Sequence, residues 1–258
     1  MKISIITVAY NSAKTIRNTI ESVLCQTYNN IEYIIVDGKS SDNTLSIVKE
    51  YKEVFGENLI IISQKDDGLY DAMNKGIHAA TGEVVGILNS DDFFTSKFSV
   101  EKIANEFQSK DVDGIFADVQ FVKRENTSCI IRTFCSKHFR KSWLRFGIAP
   151  PHPTFYLRKS CYEKYGYYKI HYKISADFDL ITRMISKEIN VRYLNAVIVT
   201  MRDGGISTKN VSARITSLCE LKRACKENNI YTNTFLLLFR FAVKIWEFKP
   251  WNMLKKGK

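Results

Sequence analysis

The chain reads as an α/β protein built on a mostly parallel, Rossmann-like sheet with helices on both faces. Two features carry this reading: short apolar runs that are continuous rather than alternating, and stretches of helical spacing between them. The runs lie at 3–8 (ISIITV), 31–36 (IEYIIV), 59–62 (LIII) and 84–88 (VVGIL), each followed by a polar turn. Helical periodicity fills the gaps, first with Ile16, Ile20, Val23 and Leu24, then with Leu45, Val48 and Tyr51, then with Tyr70, Met73, Ile77 and Ala80. Asn11 or Ser12 and Ser41 or Asp42 are natural N-caps for the first two helices. Four strand–helix units in a row predict a parallel sheet, and ligands of such sheets bind beyond the carboxyl ends of the strands.

After about residue 112 the alternation becomes irregular. Strand-like segments at 113–122, 128–134, 153–158 and 191–201 surround a helical stretch from Asp177 to Ile189, which predicts a mixed extension beside the first sheet. No Ser/Gly-rich or Pro-rich linker and no internal repeat divides the 258 residues. The expected organisation is a nucleotide-binding half over 1–110, a second half of the same domain over 111–208, and a helical, basic and aromatic appendage over 209–258.

The net charge of +11 is unevenly spread. From Met201 onward the chain has 12 Lys and Arg against 4 Asp and Glu, so most of the excess sits in the last segment. That asymmetry fits an anionic membrane surface meeting the tail better than a nucleic-acid groove, and no nucleic-acid partner is expected. The six cysteines have no CxxC spacing and read as reduced thiols rather than a zinc site. The apolar start, Met1 to Val8, is too short for a signal peptide, so a cytoplasmic protein is expected.

The polar turns carry the chemistry. Thr7-Val8-Ala9-Tyr10-Asn11 offers an aromatic ring beside a hydroxyl and an amide, suited to a flat base, or equally a helix cap with a packed Tyr. In Asp37-Gly38-Lys39-Ser40-Ser41-Asp42, Asp37 emerges from a strand end where it could accept from a base N–H, while Asp42 serves the following helix. Asp66-Asp67-Gly68-Leu69-Tyr70-Asp71-Ala72-Met73-Asn74-Lys75 crowds acids and bases onto one short helix; the plain structural account is i,i+4 pairing of Asp71 with Lys75. Leu88-Asn89-Ser90-Asp91-Asp92 sets adjacent carboxylates at the end of an apolar strand, a costly arrangement that a hard divalent ion bridging to a diphosphate would offset.

Together these turns, in this order and spacing over roughly residues 2–95, resemble the inverting family 2 glycosyltransferases of the GT-A fold, including those of bacterial surface-polysaccharide assembly. The resemblance continues through Pro151-His152-Pro153-Thr154-Phe155-Tyr156 and Ser175-Ala176-Asp177-Phe178-Asp179-Leu180, then fades after Gly204-Gly205-Ile206-Ser207. It implies a UDP-sugar donor, bound by Thr7, Ala9, Tyr10, Asn11, Asp37, Asp66, Gly68, Tyr70, Asn74, Lys75, Asn89 and Ser90. It implies a divalent metal, Mn2+ or Mg2+, on Asp91, with Asn89 standing where the family's first Asp would be. Asp37-Gly38 stands where an Asp-Asp pair is common. Asp177 falls on the catalytic base, preceded by Ala176 where the family usually has Glu.

An inverting transfer needs one carboxylate to take the acceptor hydroxyl's proton, which is the role implied for Asp177; complementing its helix dipole is the structural alternative. His152, Trp143 and Arg183 are assigned to the acceptor side. His152 is equally a packed loop histidine, and Arg183 either faces the diphosphate or pairs with Glu188.

The tail at 234–248 (TFLLLFRFAVKIWEF) is apolar and aromatic but interrupted by Arg240, Lys244 and Glu247. It is too short a run to span a bilayer and suits an interfacial helix, with Trp246, Trp251, Lys255, Lys256 and Lys258 at anionic headgroups. The alternative is packing on the catalytic domain or on a second copy in a homodimer. The expected activity is transfer of a hexose or N-acetylhexosamine to a lipid-linked saccharide at the inner face of the cytoplasmic membrane. A sugar-nucleotide nucleotidyltransferase would carry a Gly-rich basic loop after its first strand, which TVAYNS lacks. A non-catalytic nucleotide or nucleic-acid-binding module conflicts with the acidic turns.

Overall fold

In the computed structural model, residues 1–204 and 211–239 are described. The chain runs β1 (Ile3–Ala9), α1 (Ile16–Leu24), β2 (Ile31–Asp37), α2 (Thr44–Glu50), α3 (Lys52–Phe55), β3 (Leu59–Ser63), α4 (Leu69–Ala79), β4 (Val84–Ile87), β5 (Phe93–Phe94) and α5 (Ser99–Glu106). It continues with β6 (Gly114–Lys123), β7 (Asn126–Phe134), β8 (Tyr156–Arg158), α6 (Lys159–Tyr165), α7 (Ala176–Ser186), β9 (Val191–Arg202) and α8 (Val211–Glu227).

Among the described residues one sheet holds all nine strands, in the order β3-β2-β1-β4-β8-β6-β9-β5, with β7 added to β6. β1 to β4 are mutually parallel where they pair, with Ile6 opposite both Ile34 and Ile87. β8 runs antiparallel to β4 and β6 and joins the two halves across the expected boundary near 110. The mixed character of the second half arises there and from the β6–β7 hairpin.

Side chains along each central strand alternate between two cores. Ile6, Val8, Ile34, Val36 and Ile87 pack with Met73 and Ile77 of α4 and Leu180, Ile181 and Met184 of α7. Ile3, Ile5, Tyr33 and Ile35 pack on the other face with α1 and with Val100 and Ile103 of α5. Burial on both faces explains why the runs are uninterrupted, since each fully buried Ile gains about 1.5–3 kcal/mol. Gly76 lets α4 lie directly on β1: a Cβ there would sit 2.4 Å from Ile6 Cγ2.

Several elements differ from expectation. Only Tyr156–Arg158 of the segment 153–158 is strand; His152–Thr154 forms a 3-10 turn, because Pro151 and Pro153 cannot donate to a ladder. α1 starts later than its expected caps, at Ile16, and α2 follows Asn43, with no side-chain cap bond at either N-cap. Asp42 nevertheless takes the amides of Thr44 at 2.9 Å and Ala13 at 3.1 Å. The helical stretch ends at Ser186, and Glu188 with φ 58° turns the chain into β9. β5, α5 and α6 were not anticipated.

α8 docks on α7 through a charged seam. The buried Asp179 carboxylate meets Lys169 at 3.0 Å, Arg183 at 3.3 Å and Asn228 at 3.0 Å. Lys169 also bonds Glu227 at 2.7 Å, as does Arg223. Among the described residues no helix is long and apolar enough to cross a membrane. The tail's stretch from 240 on, with Arg240, Trp246, Trp251 and the terminal lysines, lies outside the described residues.

The Glu227 carboxyl is held at about 2: burial works against the shift, but hydrogen bonds from Lys169 and Arg223 outweigh it. A carboxylate with a depressed folded pKa contributes stability that is whole above its ordinary value and lost as pH falls through the folded one. Thermal melts of the unaltered protein and Glu227→Gln should therefore differ most near neutrality and converge as pH drops from about 5 to about 2. A gap constant across that range contradicts this.

Candidate active site

The turns at the strand ends are tied to one another. Gly38 N donates to Ala9 O at 2.9 Å, joining the first and second turns, and Asn11, at φ 49°, accepts from the Ser41 amide at 2.9 Å. The Ser12 and Ser90 hydroxyls share a bond of 2.8 Å, joining the first turn to the fourth. Asp37 is fully buried and accepts from Ser40 N and from Ser63 Oγ at 2.8 Å, which fixes its orientation beneath the rim.

Gly38 makes room for the third turn. A Cβ on it would lie 2.4 Å from Asp66 Oδ2, so a larger residue would push that side chain aside, while the Tyr10 ring at 3.5 Å would stay in ordinary contact. Asp66 in turn accepts from Gly68 N, where φ 115° starts α4. Tyr10 is 67% exposed and unburdened by packing, leaving its face open. Tyr10 and Asp66 thus meet over Gly38, with the buried Asp37 carboxylate beneath them.

The molecule also has a cavity of about 380 Å³. Asn89, His152, Asp177, Arg202 and Asp203 supply its polar wall, and Phe121, Phe134 and Met201 of the second half its apolar one. Asp177 accepts from Phe178 N at 2.8 Å and stands 3.5 Å from the Tyr70 hydroxyl. His152 Nε2 and the Tyr168 hydroxyl are 2.6 Å apart. Burial pushes the His152 pKa down, against the opposing pull of the Asp177 charge, so the imidazole favours its neutral form.

The fourth turn separates two unlike carboxylates. Asp92 is 2% exposed and accepts from Asn89 Nδ2 at 3.0 Å; burial first and the Asp91 charge second push its carboxyl up, to about 8. Asp91 faces outward and meets Arg124 at 3.4 Å. Arg202, packed over Phe93, donates to Asp91 O and to Asn18 Oδ1. Among the described residues no cluster of three or more His, Cys, Asp or Glu could enclose a metal unaided. The Asp91 carboxylate, with Asn89 two residues before it in sequence, would suit a hard cation that draws its remaining oxygens from a diphosphate and water.

Several expected site residues are used for scaffolding. The buried Thr7 hydroxyl donates to Leu88 O at 2.8 Å and accepts from Tyr33. Tyr70 is buried, stacks on Tyr168 and donates to Ile174 O at 2.5 Å, so it steadies the Asp177 turn rather than facing a donor. Asn74 bonds both the N–H and the C=O of Tyr168, at 2.9 and 2.8 Å. Lys75 pairs with Asp71 at 2.8 Å and donates to Lys65 O, in keeping with the plain i,i+4 account. Arg183 clamps Tyr165 O, Tyr167 O and Asp179, and neither reaches Glu188 nor lines the cavity. Trp143 lies in the 3-10 turn Lys141–Phe146, off the cavity wall. Sequence reasoning passed over Arg202, Tyr168 and the buried Asp92; the doublet Asp91-Asp92 was visible, but not which member turns inward.

With this geometry in view, comparison with known proteins identifies the class. Residues 4–166 match Glycosyl transferase family 2, and the chain belongs to that family; it is a glycosyltransferase. An uncharacterized glycosyltransferase of Nostoc sp. is 29% identical over 257 residues, 95% of this chain and 79% of that protein. A PGL/p-HBAD biosynthesis glycosyltransferase of Mycobacterium bovis is 30% identical over 217 residues, 79% of this chain and 78% of that protein. The Escherichia coli UDP-Glc:alpha-D-GlcNAc-diphosphoundecaprenol beta-1,3-glucosyltransferase WfaP is 35% identical over 114 residues, 44% of this chain and 43% of that one.

Among solved structures, S. aureus TarS 1-349 in complex with UDP-GlcNAc superposes with TM-score 0.68 at 18% identity, covering 92% of this chain and 70% of that one. The mannosyltransferase PcManGT from Pyrobaculum calidifontis, in complex with GDP-Man and Mn2+, gives 0.66 at 18% identity, covering 88% and 63%. Both likenesses support the GT-A fold. The nucleotidyltransferase and non-catalytic alternatives give way to the family assignment.

Asn74→Ala leaves the Tyr168 peptide without either partner, and a lost buried hydrogen-bonding group costs about 1–3 kcal/mol. Urea denaturation should show a loss of that size with nucleotide affinity retained; unchanged stability with lost affinity would return Asn74 to the donor site.

Proposed function

We propose that the protein is an inverting transferase moving a hexose or N-acetylhexosamine from a UDP-sugar to the saccharide of a polyprenyl-diphosphate lipid in surface-polysaccharide or O-antigen synthesis. The observation that carries this reading is the opening of Asp177 and Asn89 into one cavity, in a chain whose Tyr10 and Asp66 side chains close over Gly38. The WfaP name supplies a precedent for a UDP-sugar donor and a lipid-diphosphate acceptor, and the TarS complex one for UDP-GlcNAc on this fold.

In this reading Tyr10 stacks on the base and Asp66 accepts from its edge or from the ribose, while the buried Asp37 shapes the turn beneath them. Asn89, Ser90 and Asp91 lie under the diphosphate. Asp91 would hold a divalent ion, Mn2+ or Mg2+, which supplies positive charge where the leaving diphosphate becomes more negative. Asp177 takes the proton from the acceptor hydroxyl as its oxygen bonds the anomeric carbon; the bond from that carbon to UDP breaks on the opposite face, and UDP leaves with the electron pair. Phe121, Phe134 and Met201 give the acceptor sugar an apolar wall, and His152, neutral and bonded to Tyr168, borders it.

The lipid-linked acceptor places the enzyme at the inner face of the cytoplasmic membrane. The basic C-terminal segment supports this, as do Phe235, 86% exposed, and Phe239, 55% exposed, beside the positively charged tail.

Asp177→Asn keeps the shape of the site and removes the base. UDP release in the presence of a synthetic GlcNAc-diphospholipid should fall by about 10²–10⁴, the usual share of general-base catalysis, with calorimetric UDP affinity unchanged. Turnover close to that of the unaltered enzyme removes Asp177 from this role.

A further inference from the structure

The turn that delivers Asp177 is held in large part by another helix, α8. Ser175, the N-cap of α7, makes no side-chain cap bond, and its hydroxyl lies 3.3 Å from that of Ser217 on α8. The residue before Asp177 is the fully buried Ala176, whose methyl side chain cannot accept from the turn's amides. Three consecutive N–H groups, of Lys173, Ile174 and Ser175, therefore point outward from the start of α7. All three converge on one carboxylate from α8: Lys173 N donates to Glu220 Oε1 at 2.7 Å, and Ile174 N and Ser175 N donate to Oε2, both at 2.9 Å.

On its other side the same turn is held by α4, where the Tyr70 hydroxyl donates to Ile174 O. The peptide at 174 is thus gripped through both its N–H and its C=O, and the Asp177 carboxylate follows within one helical turn. Ser217, about one turn of α8 before Glu220, and Leu221, the residue after it, line the same cavity as Asp177. α8 lies beyond residues 4–166, the span matched to the family, so this contact belongs to the part of the chain that the family match leaves undescribed.

We propose that Glu220 is a positioning residue for transfer: its carboxylate fixes the 173–175 turn from α8, so that α7 presents Asp177 to the acceptor hydroxyl and the C-terminal helix becomes part of the active site. The inference rests on the reading of Asp177 as the base. A carboxylate suits the task because its two oxygens accept several N–H groups at once. The strand-end turns that would hold the nucleotide share no hydrogen bond with Glu220, so its loss acts on the chemical step and spares donor binding.

The second charged tie of α8, Glu227, provides the control, since it bonds Lys169, Arg223 and Tyr172 and none of the 173–175 amides. UDP release from UDP-Glc and UDP-GlcNAc with Mn2+, alone and with a GlcNAc-diphospholipid, is measured for the unaltered protein, Glu220→Ala, Glu220→Gln, Glu227→Gln and Asp177→Asn, alongside melting temperatures. Glu220→Ala should lower kcat by roughly tenfold to a hundredfold, the scale set by small misplacements of a catalytic group, with the donor KM unchanged.

Glu220→Gln keeps one oxygen for the Ile174 and Ser175 amides and should recover part of the loss, and it carries the comparison if the alanine variant does not fold. Glu227→Gln should lower the melting temperature while leaving kcat intact. If Asp177→Asn is inactive yet the Glu220 variants turn over normally, Glu220 has no positioning role and the base assignment stands. Equal loss of kcat in the Glu220 and Glu227 variants, tracking their melting temperatures, makes Glu220 a structural tie only. Full activity of Asp177→Asn, or no turnover of either donor by the unaltered protein, overturns the underlying reading and this inference with it.

Discussion

Parallel strands that end together leave backbone groups beyond their last ladder bonds, and every turn that follows must satisfy them within a few residues. Here the first residue after each of three strands still bonds a neighbouring strand, Gly38 N to Ala9 O, Gln64 N to Asp37 O and Leu88 N to Ile6 O. Side chains tie the first turn to the second and fourth, Asn11 to Ser41 and Ser12 to Ser90. The side chains of these turns then have few choices. Asp37 is buried under them, and Asp66 closes onto Gly38. Asp37 and Asp66 take their places within that framework, Asp37 fixed by Ser40 and Ser63 and Asp66 by Gly68.

The sheet itself was legible because burial on both faces writes a distinctive signal. The segments ISIITV, IEYIIV, LIII and VVGIL match β1 to β4 to within a residue or two, and α1, α2 and α4 fall where helical spacing put them. The elements that escaped are those without periodicity of their own. β5 is two residues long and exists only because β9 runs beside Phe93 and Phe94. The stretch 153–158 looked like a strand by its apolar content, yet the backbone of Pro151-His152-Pro153 shaped its start into a 3-10 turn.

The site was legible to a different degree. Motifs name the residues that surround a ligand but not which of them hold the others in place. Thr7, Tyr70, Asn74 and Lys75 sit in the right turns, yet their polar atoms are engaged by Leu88, Ile174, Tyr168 and Asp71. Three of those partners lie some eighty to more than a hundred residues away, where local pattern is silent. Arg183 is a similar case, a cation on the α7 helix that the carbonyls of Tyr165 and Tyr167 occupy. Glu220 was invisible for the same reason: nothing around it in the sequence distinguishes it from any other acid on a surface helix, and only the fold brings it to the three amides ahead of Asp177.

The account rests on the outward carboxylate of Asp91, at the end of a strand whose other acid is buried, serving a cation that a nucleotide diphosphate completes. Calorimetric titration of UDP into the protein, with Mn2+ and again with the metal chelated, tests this most directly. Affinity should be at least about tenfold tighter with Mn2+, a coupling of about 1.4 kcal/mol, and Asp91→Ala should abolish the difference. Equal UDP affinity with and without metal, or no UDP binding in either condition, would contradict it.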